Sequence, residues 1–157
     1  MSKRAFFLLW LITLLVTSCT SANTTPQKIL NTPAYTPPPL TGDWTISMTK
    51  SGGIMGMLRS IEVQADGSYT VTDERAKNTV TGALKSADVK TLSGLIVNTE
   101  VAVQKSKMVC ADCFVYDISI QSNGQKMVVN LVDMSLPDSG MEELVAFLNG
   151  VMDSALK

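Results

Sequence analysis

The chain has 157 residues, of which 45% are hydrophobic and 17% charged, and its formal net charge is −1. This length suits one globular domain with additional segments, and the charge gives no basis for binding nucleic acid. The sequence contains no histidine. The commonest general base and the commonest zinc ligand of proteins are therefore both missing.

The N-terminal segment has the three parts of a secretory signal. Lys3 and Arg4 supply positive charge, residues 5–16 form an uncharged apolar run, and small residues follow this run. A transmembrane helix needs about 20 apolar residues, so the run is too short to span a bilayer. We therefore expect this segment to direct export from the cytoplasm.

The end of this segment, VTSC, places an aliphatic residue and two small residues before Cys19. This pattern resembles the lipobox of bacterial lipoproteins. The resemblance implies that residues 1–18 are a signal peptide, that the Cys19 thiol carries a diacylglycerol, and that this lipid holds the protein on the cell membrane or the outer membrane. An ordinary signal cleaved near Ser21 and Ala22, or an uncleaved anchor helix, are the alternatives.

Residues 19–42 follow as a linker rich in proline and threonine, with five of the six prolines of the chain. Such a composition favours an extended spacer. The folded domain is then expected to occupy residues 43–157.

Four segments in the first half of this domain alternate apolar and polar residues, which is the pattern of a half-buried strand. They are residues 43–49, 57–65, 68–72 and 79–84. Trp44, Ile46 and Met48 share one face of the first segment. Asp66-Gly67 predicts a tight turn between the second and third segments.

A short helix is predicted next, with Ser86 as its N-cap and with Leu92 and Ile96 on its apolar face. Val101 and Val103 indicate a brief strand after it.

The second half of the domain contains a hairpin and a terminal helix. Phe114, Tyr116, Ile118 and Ile120 alternate with polar residues, Asn123-Gly124 is a strong hairpin signal, and Met127, Val129 and Leu131 alternate on the return strand. Ser139 and Glu142 have the spacing of a capping box before an amphipathic helix. Together these elements predict an α+β fold: an antiparallel β-sheet with a short middle helix and a C-terminal helix packed on one face.

Cys110 and Cys113 are the two cysteines that remain after Cys19. Outside the cytoplasm such a pair is most simply a disulfide. A redox-active pair usually lies at a helix N-terminus, whereas Cys113 leads into a strand pattern. A zinc site needs about four ligands, whereas beyond this pair and Cys19 the chain has no further cysteine and no histidine. Redox activity, a metal site and two free thiols stay open as alternatives.

Four features occur in order along the domain: SGGIMG at residues 51–56, CADCFVY at residues 110–116, the Asn-Gly hairpin, and Leu136-Pro137 before the last helix. Together they resemble the emfourin family of small protein inhibitors of thermolysin-like metallopeptidases. The resemblance implies a secreted metallopeptidase as partner and a partner-binding loop formed by Ser51, Gly52, Gly53, Ile54, Met55 and Gly56.

Inhibition by a loop requires no catalytic residue, metal or cofactor, and we expect none. The alternative for the loop is that its apolar residues pack inward and cap the sheet. The alternative for the protein is an envelope structural or interaction lipoprotein with no peptidase target. No common catalytic signature is present, although an enzyme with a Ser–Lys or carboxylate pair stays open.

Overall fold

The computed structural model describes residues 36–102 and 110–157. The predicted signal peptide, Cys19 and the linker up to residue 35 lie outside the described residues, as does Val103. The elements in chain order are β1 (Trp44–Gly52), β2 (Met57–Gln64), β3 (Ser68–Asp73), β4 (Asn78–Ala83), α1 (Ser86–Val97), β5 (Phe114–Ser122), β6 (Gln125–Val132), a short 3-10 helix (Asp133–Ser135) and α2 (Glu142–Ala155).

The six strands form one antiparallel sheet in the order β4-β3-β2-β1-β5-β6. Strands that are consecutive in the chain are neighbours in the sheet, except that β5 follows β4 in the chain but pairs with β1. The predicted α+β fold is therefore confirmed. No helix in the described ranges is both long enough and apolar enough to cross a membrane.

One face of the sheet and both helices share a single hydrophobic core. Alternation along the strands places Ile46, Met48 and Ile118 at 0–1% exposure, and the register sets Met48 between Ile61 and Ile118. Leu92 of α1 and Leu148 of α2 are fully buried against the same face. Thr45, Ser47 and Thr70 lie on the opposite face and are half-buried or exposed, as is typical of an antiparallel sheet covered on one face.

The predicted turns are present. Gly67 has a φ of +88°, and Asn123 and Gly124 have φ values of +50° and +72°. Two consecutive positive φ values are those of a type I′ hairpin turn, which Asn-Gly favours.

Both predicted helix N-caps are wrong. Helix α1 begins at Ser86 itself, after Lys85, and α2 begins at Glu142 after Met141 without a side-chain cap. Ser139 instead accepts the N–H of Met141 at 3.0 Å and donates to the carbonyl of Leu136 at 2.6 Å. Gly140, with a φ of +74°, interrupts helical geometry between Ser139 and α2, so the capping box does not form.

The two ends of the sheet differ in what they carry. At one end, named here the entry end, the chain joins the sheet: the Ser122 hydroxyl donates to the carbonyl of Pro39 at 2.9 Å, and Leu40 packs against the core. The other end, named the loop end, carries the connections at residues 53–56, 74–77 and 110–113. The nine residues of β1, at about 3.3 Å each, separate the two ends by about 30 Å.

Candidate binding loop

The connection between β1 and β2 is a tight glycine-rich turn at the loop end. Gly52, Gly53 and Gly56 have φ values of +104°, +69° and +59°, a region that other residues rarely adopt. The N–H of Gly56 donates to the carbonyl of Gly53 at 2.8 Å. The three glycines therefore allow, and this hydrogen bond closes, one narrow turn at residues 51–56, named here the 51–56 loop.

Ile54 and Met55 lie at the tip of this loop and point into solvent. Their side chains are 87% and 78% exposed, the highest values among the large apolar residues in the described part of the chain. The alternative in which these two residues pack inward and cap the sheet is therefore wrong. Single exposed apolar side chains are common on proteins, but two adjacent ones on a constrained turn form a small apolar projection.

The inner side of the loop contacts the start of β5. The N–H of Gly53 donates to the carbonyl of Cys113 at 3.2 Å. A Cβ on Gly52 would lie 2.4 Å from that carbonyl oxygen, and a Cβ on Gly53 would lie 2.7 Å from the ring of Phe114. Both glycines are therefore required by close contacts as well as by their φ values.

A disulfide closes the turn that supplies this carbonyl. Cys110 and Cys113 are bonded with their Cα atoms 5.5 Å apart, which confirms the predicted pairing over two free thiols. Along the chain, more than fifty residues lie between the 51–56 loop and this disulfide. The pairing of β1 with β5, which sets Gly52 opposite Phe114, brings the two together.

Asp133 fixes the start of β5 in place, and sequence reasoning did not identify it. Its carboxylate accepts the N–H of Phe114 at 2.9 Å and the hydroxyl of Tyr116 at 2.8 Å. Burial and this hydrogen bond raise the pKa of the Tyr116 phenol above its ordinary value, so the hydroxyl stays protonated and donates. Tyr116 is 5% exposed, in agreement with its predicted packing role.

Lys50 completes the support on the core-facing side of β1. Its Nζ lies 4.4 Å from the centroid of the Phe114 ring and 5.7 Å from that of Tyr116. Both distances allow cation–π attraction. The ring that lies against Gly53 is thus also beside a charged group.

The turn between β3 and β4 flanks the loop on the opposite side. Asp73 accepts the N–H groups of Arg75 at 3.1 Å and Ala76 at 2.9 Å, and Nε of Arg59 at 2.8 Å. A Cβ on Gly56 would lie 3.5 Å from Nη1 of Arg75. This turn therefore places a cationic side chain beside the apolar tip.

The carboxylate of Asp73 should make stability depend on pH in acid. The backbone N–H of Ala76 and the side chain of Arg59 hold the pKa of Asp73 below its ordinary value. Between the folded and unfolded pKa values the unfolded chain binds more protons, so stability is full above about pH 4 and is lost as the pH falls through the folded pKa.

We expect the free energy of unfolding, measured by urea denaturation at a series of pH values, to fall below about pH 4. The Asp73→Asn variant should be less stable at neutral pH and should lose less stability in acid. Equal slopes in the two proteins would show that Asp73 contributes nothing to the pH dependence.

Two further kinds of site, a metal-binding cluster and a cleft, were sought on the rest of the described surface. Among residues 36–102 and 110–157, no group of three histidine, cysteine, aspartate or glutamate side chains is placed to hold a metal ion. An open cleft of about 550 Å³ lies between α1 and α2, lined by Lys90, Leu95 and Glu142 among others. None of the predicted site residues lines this cleft.

Comparison with known proteins gives no family assignment. A scan against protein-family models finds no match to this chain, and a search of curated proteins finds none either.

Proposed function

We propose that this chain is a lipid-anchored, extracytoplasmic protein whose domain binds and inhibits a thermolysin-like metallopeptidase through the 51–56 loop. The observation that carries the proposal is the exposure of Ile54 and Met55 on a turn that contains three glycines of positive φ and is closed by hydrogen bonds. The resemblance of the domain to emfourins supplies the class of partner.

The arrangement suits a binding site that acts by shape. Most of the energy of a protein interface comes from a few buried anchor residues, and burial of an isoleucine or methionine side chain contributes about 1.5–3 kcal/mol. Thermolysin-like clefts favour bulky aliphatic side chains, which Ile54 and Met55 provide. Because the loop is already ordered, little conformational entropy is lost on binding.

A constrained loop would also oppose cleavage by the target peptidase. A peptidase cleaves a segment that adapts to the extended geometry of a substrate. The contacts of Gly52 and Gly53 with Cys113 and Phe114 oppose that change. The proposed inhibitor therefore occupies the cleft without presenting a bond that is easily cut.

Enzyme kinetics test this proposal directly. The full chain, purified in detergent micelles, is mixed in micromolar excess with several thermolysin-like peptidases, and residual cleavage of a small peptide substrate is measured. We expect loss of activity that can be titrated, with the chain recovered intact. Full activity of every enzyme tested would overturn the proposal that the protein is an inhibitor. The alternative, an envelope interaction lipoprotein, would then be favoured.

The proposed lipid on Cys19 predicts the location of the protein. Two acyl chains give stable membrane attachment, and the chain enters the sheet at the end opposite the 51–56 loop. We expect Cys19→Ala to abolish acylation of the protein. Mass spectrometry of the wild-type N-terminal peptide should show acyl groups, and a mature form without them contradicts this part of the proposal.

A further inference from the structure

The face of the sheet that points away from the core, named here the open face, becomes apolar at the loop end. On this face Ser51 of β1 lies between Leu58 of β2 and Val115 of β5, and Val132 of β6 lies beside Val115. These four residues are named here the loop-end row. Leu58 is 40% exposed, and the other three are half-buried. Three apolar side chains therefore share the open face in the row of the sheet from which the 51–56 loop projects.

The next row toward the entry end is polar. It contains Thr49, which lies between Ser60 and Asp117, and Asn130, which lies beside Asp117. The side-chain amide of Asn130 donates a hydrogen bond to the carboxylate of Asp117. Successive rows on one face of a sheet are about 7 Å apart. The apolar part of the loop-end row is therefore bounded by polar side chains on the side away from the loop.

The 51–56 loop is too small to form an inhibitory interface by itself. A specific interface buries about 800 Å² on each partner, whereas Ile54 and Met55 supply on the order of 200 Å² of apolar surface. The remaining contact has to come from surface that is continuous with the loop. Helices α1 and α2 cover the core face of the sheet, and the loop-end row lies on the other face.

We infer that the loop-end row is a second contact surface for the metallopeptidase, so that the rim of the peptidase cleft rests on the open face while Ile54 and Met55 enter the cleft. The inference rests on the proposed function, because it adds residues to the same interface. The row fits an apolar rim, since the centre of an interface is depleted of charged residues and none of the four residues of the row is charged.

The backbone of the row is already fixed before a partner binds. Ser51 is paired with Leu58 on one side and with Val115 on the other, and Val115 is also paired with Val132. Surface that is ordered in the free protein loses little conformational entropy on binding. The row therefore adds apolar contact area at a small entropic cost.

The alternative role of these side chains is to stabilise the pairing of their strands, since β-branched residues on neighbouring strands contribute to sheet stability. Substitution by threonine separates the two roles. Threonine is β-branched and favours strands as valine does, but its hydroxyl removes part of the apolar surface. A pairing role predicts a change in the free energy of unfolding, whereas a contact role predicts a change in inhibition.

Inhibition constants of threonine variants test the inference, with the full chain in detergent micelles and a peptidase that the wild type inhibits. The double variant Leu58→Thr with Val115→Thr should inhibit about tenfold more weakly or worse, because about 60 Å² of apolar contact surface is removed. Val128→Thr is the matched control. Val128 is 52% exposed on the open face of β6, but it lies four residues, about 13 Å, from Val132. This control should inhibit as the wild type does.

Ser51→Lys provides a second test that removes no apolar group. Its charged side chain stands at the centre of the row and would have to lose water against the rim of the cleft. Inhibition should again weaken about tenfold or more, and urea denaturation should show that the variant folds. This variant decides the question if the double variant does not fold.

Unchanged inhibition by the folded variants overturns the inference and leaves inhibition through the 51–56 loop standing. An equal loss in Val128→Thr also overturns it, because the effect is then not confined to the loop-end row. If the wild type inhibits none of the peptidases, the proposed function fails and this inference fails with it.

Discussion

Replacement of both Ile54 and Met55 by aspartate is expected to abolish inhibition while leaving the fold intact. Loss of two anchor residues that each contribute about 2 kcal/mol or more would together weaken binding by roughly 700-fold or more. A carboxylate placed in an apolar pocket adds the cost of burying a charge without a partner. The measurement is the inhibition constant against the peptidase that the wild type inhibits.

The exposure of the two side chains makes this a clean test. Because they are 87% and 78% exposed in the free protein, their replacement should change the free energy of unfolding by no more than about 0.5 kcal/mol. The matched control is Val97→Asp, which replaces a 61% exposed apolar residue at the end of α1. The control should inhibit as the wild type does, and a double variant that folds and still inhibits contradicts the binding role of the loop.

Local patterns along the chain were sufficient to predict most of the fold. The alternation of Trp44, Ile46 and Met48 identified the buried face of β1, and Asn123-Gly124 identified a turn whose positive φ values follow from the twist of the two strands it joins. Met141, Leu144, Val145, Leu148 and Met152 are all buried along α2 or at its start, in agreement with the predicted amphipathic helix. In each case the signal lies within a few residues of the element it describes.

The errors arose where a local pattern competes with a neighbouring constraint. Ser139 has the right spacing to Glu142 for a capping box, but a Cβ on Gly140 would lie 2.1 Å from the carbonyl oxygen of Glu100. That long-range contact, together with the positive φ of Gly140, displaces the start of α2. Nothing in the residues around Ser139 indicates that the segment near Glu100 lies against them.

The candidate site was predicted in part. Its glycines mark a turn, and its apolar residues were identified, but whether Ile54 and Met55 point inward or outward depends on what surrounds the end of the sheet. The support provided by Cys113, Phe114 and Asp133 depends on the pairing of β1 with β5, which the strand patterns do not specify. Asp133 is one aspartate after a strand, and its role becomes visible only when β5 and β6 are placed side by side.

Replacement of Gly52 is expected to have the second large effect. It tests the contact between the loop and the disulfide turn. In Gly52→Ala the new Cβ would lie 2.4 Å from the backbone oxygen of Cys113, at a φ of +104°. The backbone oxygen of Cys113, directly before the paired strand β5, moves less easily than the end of a side chain. We expect a loss of about 2–4 kcal/mol in the free energy of unfolding, of which about 1–2 kcal/mol comes from the backbone conformation and the rest from the steric contact.

Gly124→Ala is the control that separates these two contributions. Gly124 also has a positive φ, +72°, but no atom of the described residues lies within 4 Å of its Cβ position, so this variant carries only the conformational cost. Urea denaturation of both variants should therefore show Gly52→Ala to be less stable than Gly124→Ala by about 1 kcal/mol or more. Only Gly52→Ala should also weaken inhibition, because only that substitution forces the turn that carries Ile54 and Met55 away from Cys113. Equal losses of stability in the two variants would mean that the carbonyl of Cys113 does not constrain the loop, and the support proposed for the binding site would then have to lie elsewhere.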